Sequence, residues 1–182
     1  EAKQSICVSR SFSSEIYDVK ELQEQIANFS ASMAEKLRKQ CSVVSEMVVF
    51  AYTNRFKENE PQTHGSALIS FITPTADQRT IVSKAVEAAR QLYKKGYGYK
   101  KAGVIATKIS SEKCVMHSLF EDTEATEREH KITTVLDTIN KTFGKGTIKL
   151  AVQGSGNIKS SSDNQSPHYT TLWTDIPTVT VK

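Results

Sequence analysis

Cysteine is scarce in this chain. Cys7, Cys41 and Cys114 are an odd number, lie far apart and include no Cys-x-x-Cys pair. A disulfide framework and a thiol pair for zinc or redox work are thereby excluded, and the three read as buried or idle reduced thiols. Histidine is also thin, and His130 and His168 have no partners at metal-ligand spacing, so neither zinc nor a catalytic triad is supported. No run approaches the roughly 18 apolar residues that span a bilayer, and no charged-then-apolar leader precedes a cleavage site. Nothing points outside the cytoplasm. Gly144-Lys145-Gly146-Thr147 lacks the upstream glycine of a phosphate loop and leads into a strand pattern, so it reads as a tight turn. The chain starts at Glu1 and enters a strand almost at once, as expected of a piece cut from a longer protein.

What is present suffices for one good core and a small second unit: 182 residues, 38% hydrophobic and 24% charged. The net charge of +4 is unevenly spread. Between Arg79 and Lys113, nine lysines and arginines face only Glu87 and Glu112. An acidic patch follows, with Glu121, Asp122, Glu124, Glu127 and Glu129, before Lys141, Lys145 and Lys149 restore positive charge. That switch predicts a boundary near Leu119 to Thr126. The acidic residues read as a solvated surface.

Periodicity orders the elements. Ile6 to Phe12 is a strand signal. Val19, Leu22, Ile26, Phe29, Met33 and Leu37 mark an amphipathic helix, with Asp18 and Glu21 spaced as a capping-box variant. Val43–Thr53 and Ala67–Thr73 read as a hairpin with a long polar loop. Pro74 is expected to stop that strand and Thr75 to cap a helix carrying Ile81, Val82, Ala85, Ala88, Ala89, Leu92 and Tyr93, which Gly96 and Gly98 end. Ala102–Ile109 is a fourth strand. The order β-α-β-β-α-β predicts an α+β, ferredoxin-like fold: a four-stranded sheet, two helices on one face, the other face open for binding.

On the first strand, alternation sends Ile6 and Val8 to one side and Ser5, Cys7, Ser9 and Ser11 to the other. Small polar groups let a phosphate backbone approach closely. Hydroxyls and main-chain N–H groups can bond its oxygens, while Arg10, Arg55, Lys57, Lys100 and Lys101, at strand ends and loops, supply charge. A solvated sheet face with scattered lysines is the plainer alternative. An RNA recognition motif shares the strand order, but the third strand lacks its aromatic pattern and the first strand's polar side has no matching aromatic, so base stacking is not expected.

Four stretches carry a resemblance: Ile6–Phe12, Ala34–Arg38, Leu68–Asp77, and Tyr99 to Val104. Together with Asn140–Thr147, Gln153-Gly154 and Ser166–Thr171 they resemble, over nearly the whole chain, the little finger domain and C-terminal extension of UmuC-type Y-family translesion DNA polymerases. The resemblance implies a domain that grips primer–template duplex in the major groove through its sugar-phosphate backbone, in the SOS response to DNA damage, in a cytoplasmic, nucleoid-associated enzyme. Carried over by position, the DNA contacts would be Ser9, Arg10, Ser11, Arg55, Lys57, His64, Lys100 and Lys101. The intact parent would be a nucleotidyltransferase whose two Mg2+ ions sit on palm carboxylates outside this chain, leaving this part non-catalytic and without a cofactor. The implied units are 1–113 as little finger, 114–125 as linker and 126–182 as extension.

Within that linker, Met116, His117, Ser118, Leu119 and Phe120 stand where such polymerases carry a pentapeptide for the sliding clamp. Ser118, Leu119 and Phe120 fit its second half, whereas Met116 and His117 replace the usual Gln and Leu. The Leu-Phe pair either anchors in a hydrophobic pocket or packs back on the domain. Beyond it, Ile132, Val135, Leu136, Ile139 and Phe143 stripe a helix, and Thr147–Val152 reads as a strand. This unit is too small to stand alone, so it docks on the preceding domain, docks on another subunit, or moves freely. The resemblance implies UmuD′-like subunits and the RecA filament as its partners. Ser155–Gln165 reads as a flexible loop, and Trp173 as packed within the chain or anchored to a partner. A free-standing nucleic-acid-binding or protein-interaction adaptor of the same fold is the alternative function. An acylphosphatase-like hydrolase would need an Arg and an Asn converging on a phosphate loop after the first strand, and none is evident there.

Overall fold

The computed structural model describes residues 3–57, 59–114, 123–155 and 173–176. Six elements follow the expected order: β1 (Ile6–Ile16), α1 (Val19–Lys39), β2 (Ser42–Thr53), β3 (His64–Thr75), α2 (Gln78–Leu92) and β4 (Tyr99–Ser111). The strands form one antiparallel sheet in the order β1-β4-β2-β3, so β1 and β3 are its edges. Antiparallel register places partnered residues on the same face. The rows Ile6, Ala106, Met47, Ile69 and Val8, Val104, Val49, Ala67 turn toward α1 and α2, and meet Leu22, Ile26, Phe29, Met33, Leu37, Ile81 and Ala85. Phe12 stacks on Phe29 with centroids 6.4 Å apart. Each large side chain removed from water here is worth about 1.5–3 kcal/mol, so this layer holds the domain together.

Helix entry follows local chemistry. The Asp18 carboxylate accepts the Glu21 N–H at 3.0 Å and caps α1. At α2 the expected cap moves two residues on: Asp77 accepts the Thr80 N–H at 2.8 Å, while the Thr75 hydroxyl accepts the Asp77 N–H. Pro74 does not stop β3, which runs to Thr75. A proline is tolerated there because β3 is an edge strand and its ladder with β2 is irregular between Ser70 and Thr75. Tyr99 locks the far end of α2, accepting the Lys94 N–H at 2.8 Å and donating to the Leu92 carbonyl at 3.0 Å.

The C-terminal part departs further from expectation. A helix, α3, spans Thr123–Phe143 and so begins inside the expected linker. It is joined to the sheet domain through polar groups, at the last turn of α1 and the cap of α2. Arg38 grips Asp137 bidentately, Nε to Oδ2 at 2.6 Å and Nη2 to Oδ1 at 2.7 Å, and Thr133 donates to Asp77. Ile132, Val135 and Phe143 are left exposed. The predicted strand at Thr147–Val152 is instead a turn followed by a 3₁₀ turn, Ala151–Gln153. Both backbone groups of Ile148 that a ladder would need are taken by the Asn140 side-chain amide, at 3.0 Å each. Gln153 is then clasped by Asn28 of α1, whose Nδ2 donates to the Gln153 main-chain carbonyl at 3.0 Å and whose Oδ1 accepts from Gln153 Nε2 at 3.2 Å, with Leu150 packed on Ala27, Ala31 and Val82. Trp173 is 89% exposed in a short 3₁₀ turn, Trp173–Asp175, rather than packed. The segment 156–165 of the expected loop, Met116–Phe120 and His168 lie outside the described residues.

Candidate nucleic-acid interface

The same ladders that fill the helix face determine what the open face carries. Three rows cross all four strands there: Cys7, Ile105, Val48, Leu68; Ser9, Gly103, Phe50, Ser66; and Ser11, Lys101, Tyr52, His64. The face is therefore graded. One end is aliphatic and includes the exposed Leu68, while the other combines a hydroxyl, an ammonium and two rings.

At the centre, Gly103 is a packing requirement. A Cβ there would stand 2.4 Å from Ser9 Cβ and 2.8 Å from Phe50 Cζ. The bare glycine lets the Phe50 ring lie down on the sheet, and Tyr52 stacks on Phe50 at 4.9 Å. His64 stacks in turn on Tyr52 at 3.6 Å, the two planes within 8°. This ladder of rings was not anticipated from the sequence, where the expectation concerned aromatics on the first and third strands only. It arises on β2 and the start of β3, whereas the RNA-recognition pattern concerns the first and third strands.

The sequence candidates separate into groups. Ser9, Ser11, Lys101 and His64 share the open face in two adjacent rows. Arg10 is in mid-strand, not at a strand end. Its register partner is the buried Ala102, so it belongs to the helix-side parity but is exposed at the free edge of β1, with Nη1 donating to its neighbour's carbonyl at 2.8 Å. Lys100 donates to the Ser13 carbonyl at 3.1 Å. Arg55 lines a depression of about 420 Å³ with Thr53, Gln62, Thr63 and His64, at the Lys101 end of the sheet. Arg10, Arg55, Lys100 and Lys101 form no ion pair among the described residues. Lys57 differs, because it is bound to Glu15 at 3.0 Å and to Glu60 at 2.9 Å. Burial pushes the Glu15 carboxyl up, but hydrogen bonds from Lys57 and Tyr17 outweigh that, so its net shift is downward. Hydrogen bonds to Glu60 and Glu15 hold the Lys57 ammonium well above the usual lysine range.

Among the described residues no group of three His, Cys, Asp or Glu side chains is placed to hold a metal ion. No helix among them is long and apolar enough to cross a membrane. Cys7 and Cys41 are both exposed free thiols, so the buried alternative does not apply to them.

Residues 3–119 match the family described as the impB/mucB/samB family C-terminal domain. The chain belongs to that family. Residues 130–179 of this impB/mucB/samB-type chain match a second family, described as a domain of unknown function, DUF4113. It is 35% identical to Protein UmuC of Salmonella typhimurium over 96% of its length, and 33% identical to Protein MucB of Escherichia coli over 100%. It spans only 42% and 43% of those relatives. Among solved structures it is similar to one titled "Complex of beta-clamp processivity factor and little finger domain of PolIV", with TM-score 0.44 and 13% identity, covering 64% of this chain and 99% of that one.

Sequence reasoning missed Phe50, Tyr52, Gly103 and Glu15. Val43–Thr53 is apolar at both parities, so alternation cannot assign its faces. A glycine flanked by valine and alanine in a strand was the available signal for a close approach.

Proposed function

We propose that this domain is the non-catalytic, DNA-gripping C-terminal part of an error-prone Y-family translesion polymerase of the SOS response. The observation that carries this reading is the row Ser11, Lys101, Tyr52 and His64, which crosses the open face and ends beside Arg55. A duplex backbone laid along it meets cations at Lys101 and Arg55 and hydroxyls at Ser9 and Ser11, while Gly103 keeps the middle of the face low. Arg10 and Lys100, near the free edge of β1, extend the positive track. Such contacts position a duplex without reading its sequence, which suits an enzyme that copies past damage. Membership of the impB/mucB/samB family and the similarity to UmuC support the assignment.

Phosphoryl transfer and its Mg2+ belong in this reading to a palm domain that is not part of this chain. The sliding clamp is a proposed partner through Met116–Phe120. UmuD′-like subunits and the RecA filament are proposed partners of the C-terminal unit, which leaves Ile132, Val135 and Phe143 exposed on α3.

The test is binding of the chain to a fluorescent primer–template duplex over a salt series. Four cations free of ion pairs predict a slope of log affinity against log salt of up to about −3.6, at ~0.9 per phosphate contact. Lys101→Ala and Arg55→Ala should each flatten it by about 0.9. Absence of duplex binding at low salt, or slopes that ignore both substitutions, would overturn the reading.

A further inference from the structure

The ladder between β1 and β4 is regular as far as Ser11 opposite Lys101 and resumes only at Ile16 opposite Tyr99. Four residues of β1 therefore oppose one of β4, and the bulge brings Glu15 toward the loop joining β2 to β3. The Glu15 side chain is only 8% exposed, and its Oε2 accepts Lys57 Nζ at 3.0 Å and the Tyr17 hydroxyl at 2.9 Å. Lys57 Nζ donates a second bond to Glu60 Oε1 at 2.9 Å. Gly98 makes room for this cluster, since a Cβ there would stand 2.7 Å from the Tyr17 ring and 2.9 Å from Glu15 Oε2.

The loop is braced around the same lysine. The Lys57 N–H donates to the Asn54 carbonyl at 3.2 Å, and the Lys57 carbonyl accepts from Gln62 Nε2 at 2.9 Å. Gln62 is committed at its other end as well, accepting from the Thr53 hydroxyl at 2.7 Å. Of the groups lining the depression at the end of the sheet, this leaves the Arg55 guanidinium, the Thr63 hydroxyl and the His64 ring without a hydrogen bond from their side chains among the described residues, and of these only Arg55 carries a fixed positive charge.

We infer that Glu15 and Glu60 hold Lys57 out of the nucleic-acid interface, so that the β2–β3 loop presents Arg55, and not Lys57, to phosphate. This rests on the DNA-gripping reading of the open face. The reason is electrostatic. For Lys57 to reach a phosphate it must leave two carboxylates at once, and one of them, Glu15, would remain nearly buried without its cation. The cluster carries two negative charges and one positive. It therefore repels a phosphate backbone from this corner and limits how far the backbone can slide past Lys101 and Arg55. Glu15 is thus a positioning residue acting through Lys57.

The experiment compares salt slopes of primer–template binding for the wild-type chain, Lys57→Ala, the pair Glu15→Gln with Glu60→Gln, and Lys101→Ala. Lys57→Ala should leave the slope unchanged. The paired substitution releases the ammonium and should steepen the slope by about 0.9, with affinity several-fold higher at low salt. If Lys57→Ala flattens the slope by about 0.9, or the pair leaves it unchanged, the inference is overturned while the DNA reading survives, provided Lys101→Ala flattens it. If Lys101→Ala has no effect either, the DNA reading has failed and the inference falls with it. Should the Glu15 variant not fold, Lys57→Ala still decides the question, because a slope flattened by about 0.9 in that variant means that Lys57 does reach phosphate and overturns the inference.

Discussion

Replacing Gly103 with alanine should damage the sheet at its centre. No positive φ is involved at this residue, so the effect is one of packing and not of backbone freedom. The new methyl would meet Ser9 Cβ at 2.4 Å, Ser9 Cα at 2.8 Å and Phe50 Cζ at 2.8 Å. Ordinary van der Waals separation is larger, so the methyl must push β1 outward, lift the Phe50 ring off the sheet, or do both. The ring cannot lift freely because Tyr52 and His64 are stacked behind it. Overpacking costs about 1–3 kcal/mol, and two opposed neighbours, one of them main chain, place this case near 3 kcal/mol. With a urea m value of about 1–3 kcal/mol/M, the unfolding midpoint should fall by about 1 M or more, at unchanged m. Gly65→Ala is the matched control. There the nearest atom is Leu92 Cδ2 at 3.2 Å, the tip of a flexible side chain, and the expected loss is below about 1 kcal/mol. Ser9→Gly added to Gly103→Ala removes the shortest of these approaches but leaves the one to the Ser9 main chain, so it should restore part of the stability. Equal losses at Gly103 and Gly65 would refute the reasoning.

Asn28→Ala strands the amide of the buried Gln153, so about 1–3 kcal/mol of stability should go, with hydrogen exchange at Gln153 and Gly154 accelerating before the rest of the domain. Unchanged exchange there would mean that the clasp does not hold the C-terminal turn. Tyr99→Phe leaves the Leu92 carbonyl and the Lys94 N–H without their partner, a loss of about 1–3 kcal/mol in denaturant titration; a neutral result would show that water replaces the hydroxyl. Glu15 should contribute a pH dependence. Its folded-state pKa lies below the ordinary 4.5, so the stabilisation is fully present above that value and is lost as pH falls through the lower folded one. Midpoints of wild type and Glu15→Gln, compared from about pH 6 to about pH 3, should converge at the acid end, and a gap that widens there would contradict the assignment.

Element order was legible because it is a local property. Val19 to Leu37 carries a 3.6-residue stripe behind an Asp18 cap, Ile6, Val8 and Phe12 fall on one parity of a strand, and backbone geometry alone turns those periods into helix and strand. The cap at Asp77 and the extension of β3 through Pro74 were less legible. The extension depends on β3 lying at an edge, which no local pattern states, whereas the Asp77 cap is a local contact with Thr80 that follows from where the strand ends. The predicted strand at Thr147–Val152 failed for a related reason: its alternation is genuine, but Asn140, eight residues from Ile148, takes the backbone groups that pairing would have used.

The candidate site divides along the same line. Ser9, Ser11 and Lys101 were readable from strand alternation and local charge. Their union with Tyr52 and His64 in one row depends on the register of three separate strand pairs, which is a tertiary quantity. Lys57 and Lys101 look alike in sequence, each a lysine near a strand end. Only folding sets one between Glu15 and Glu60 and leaves the other free on the open face, because the partners that neutralise a charge lie up to 42 residues away along the chain and about 3 Å away in space. Sequence alone therefore determined the order of the six elements of the sheet and its two helices, and that the open side of β1 is polar. Tertiary structure decided which charges on that face remain available, since Coulomb interactions and close packing act through distance in space and not through position along the chain.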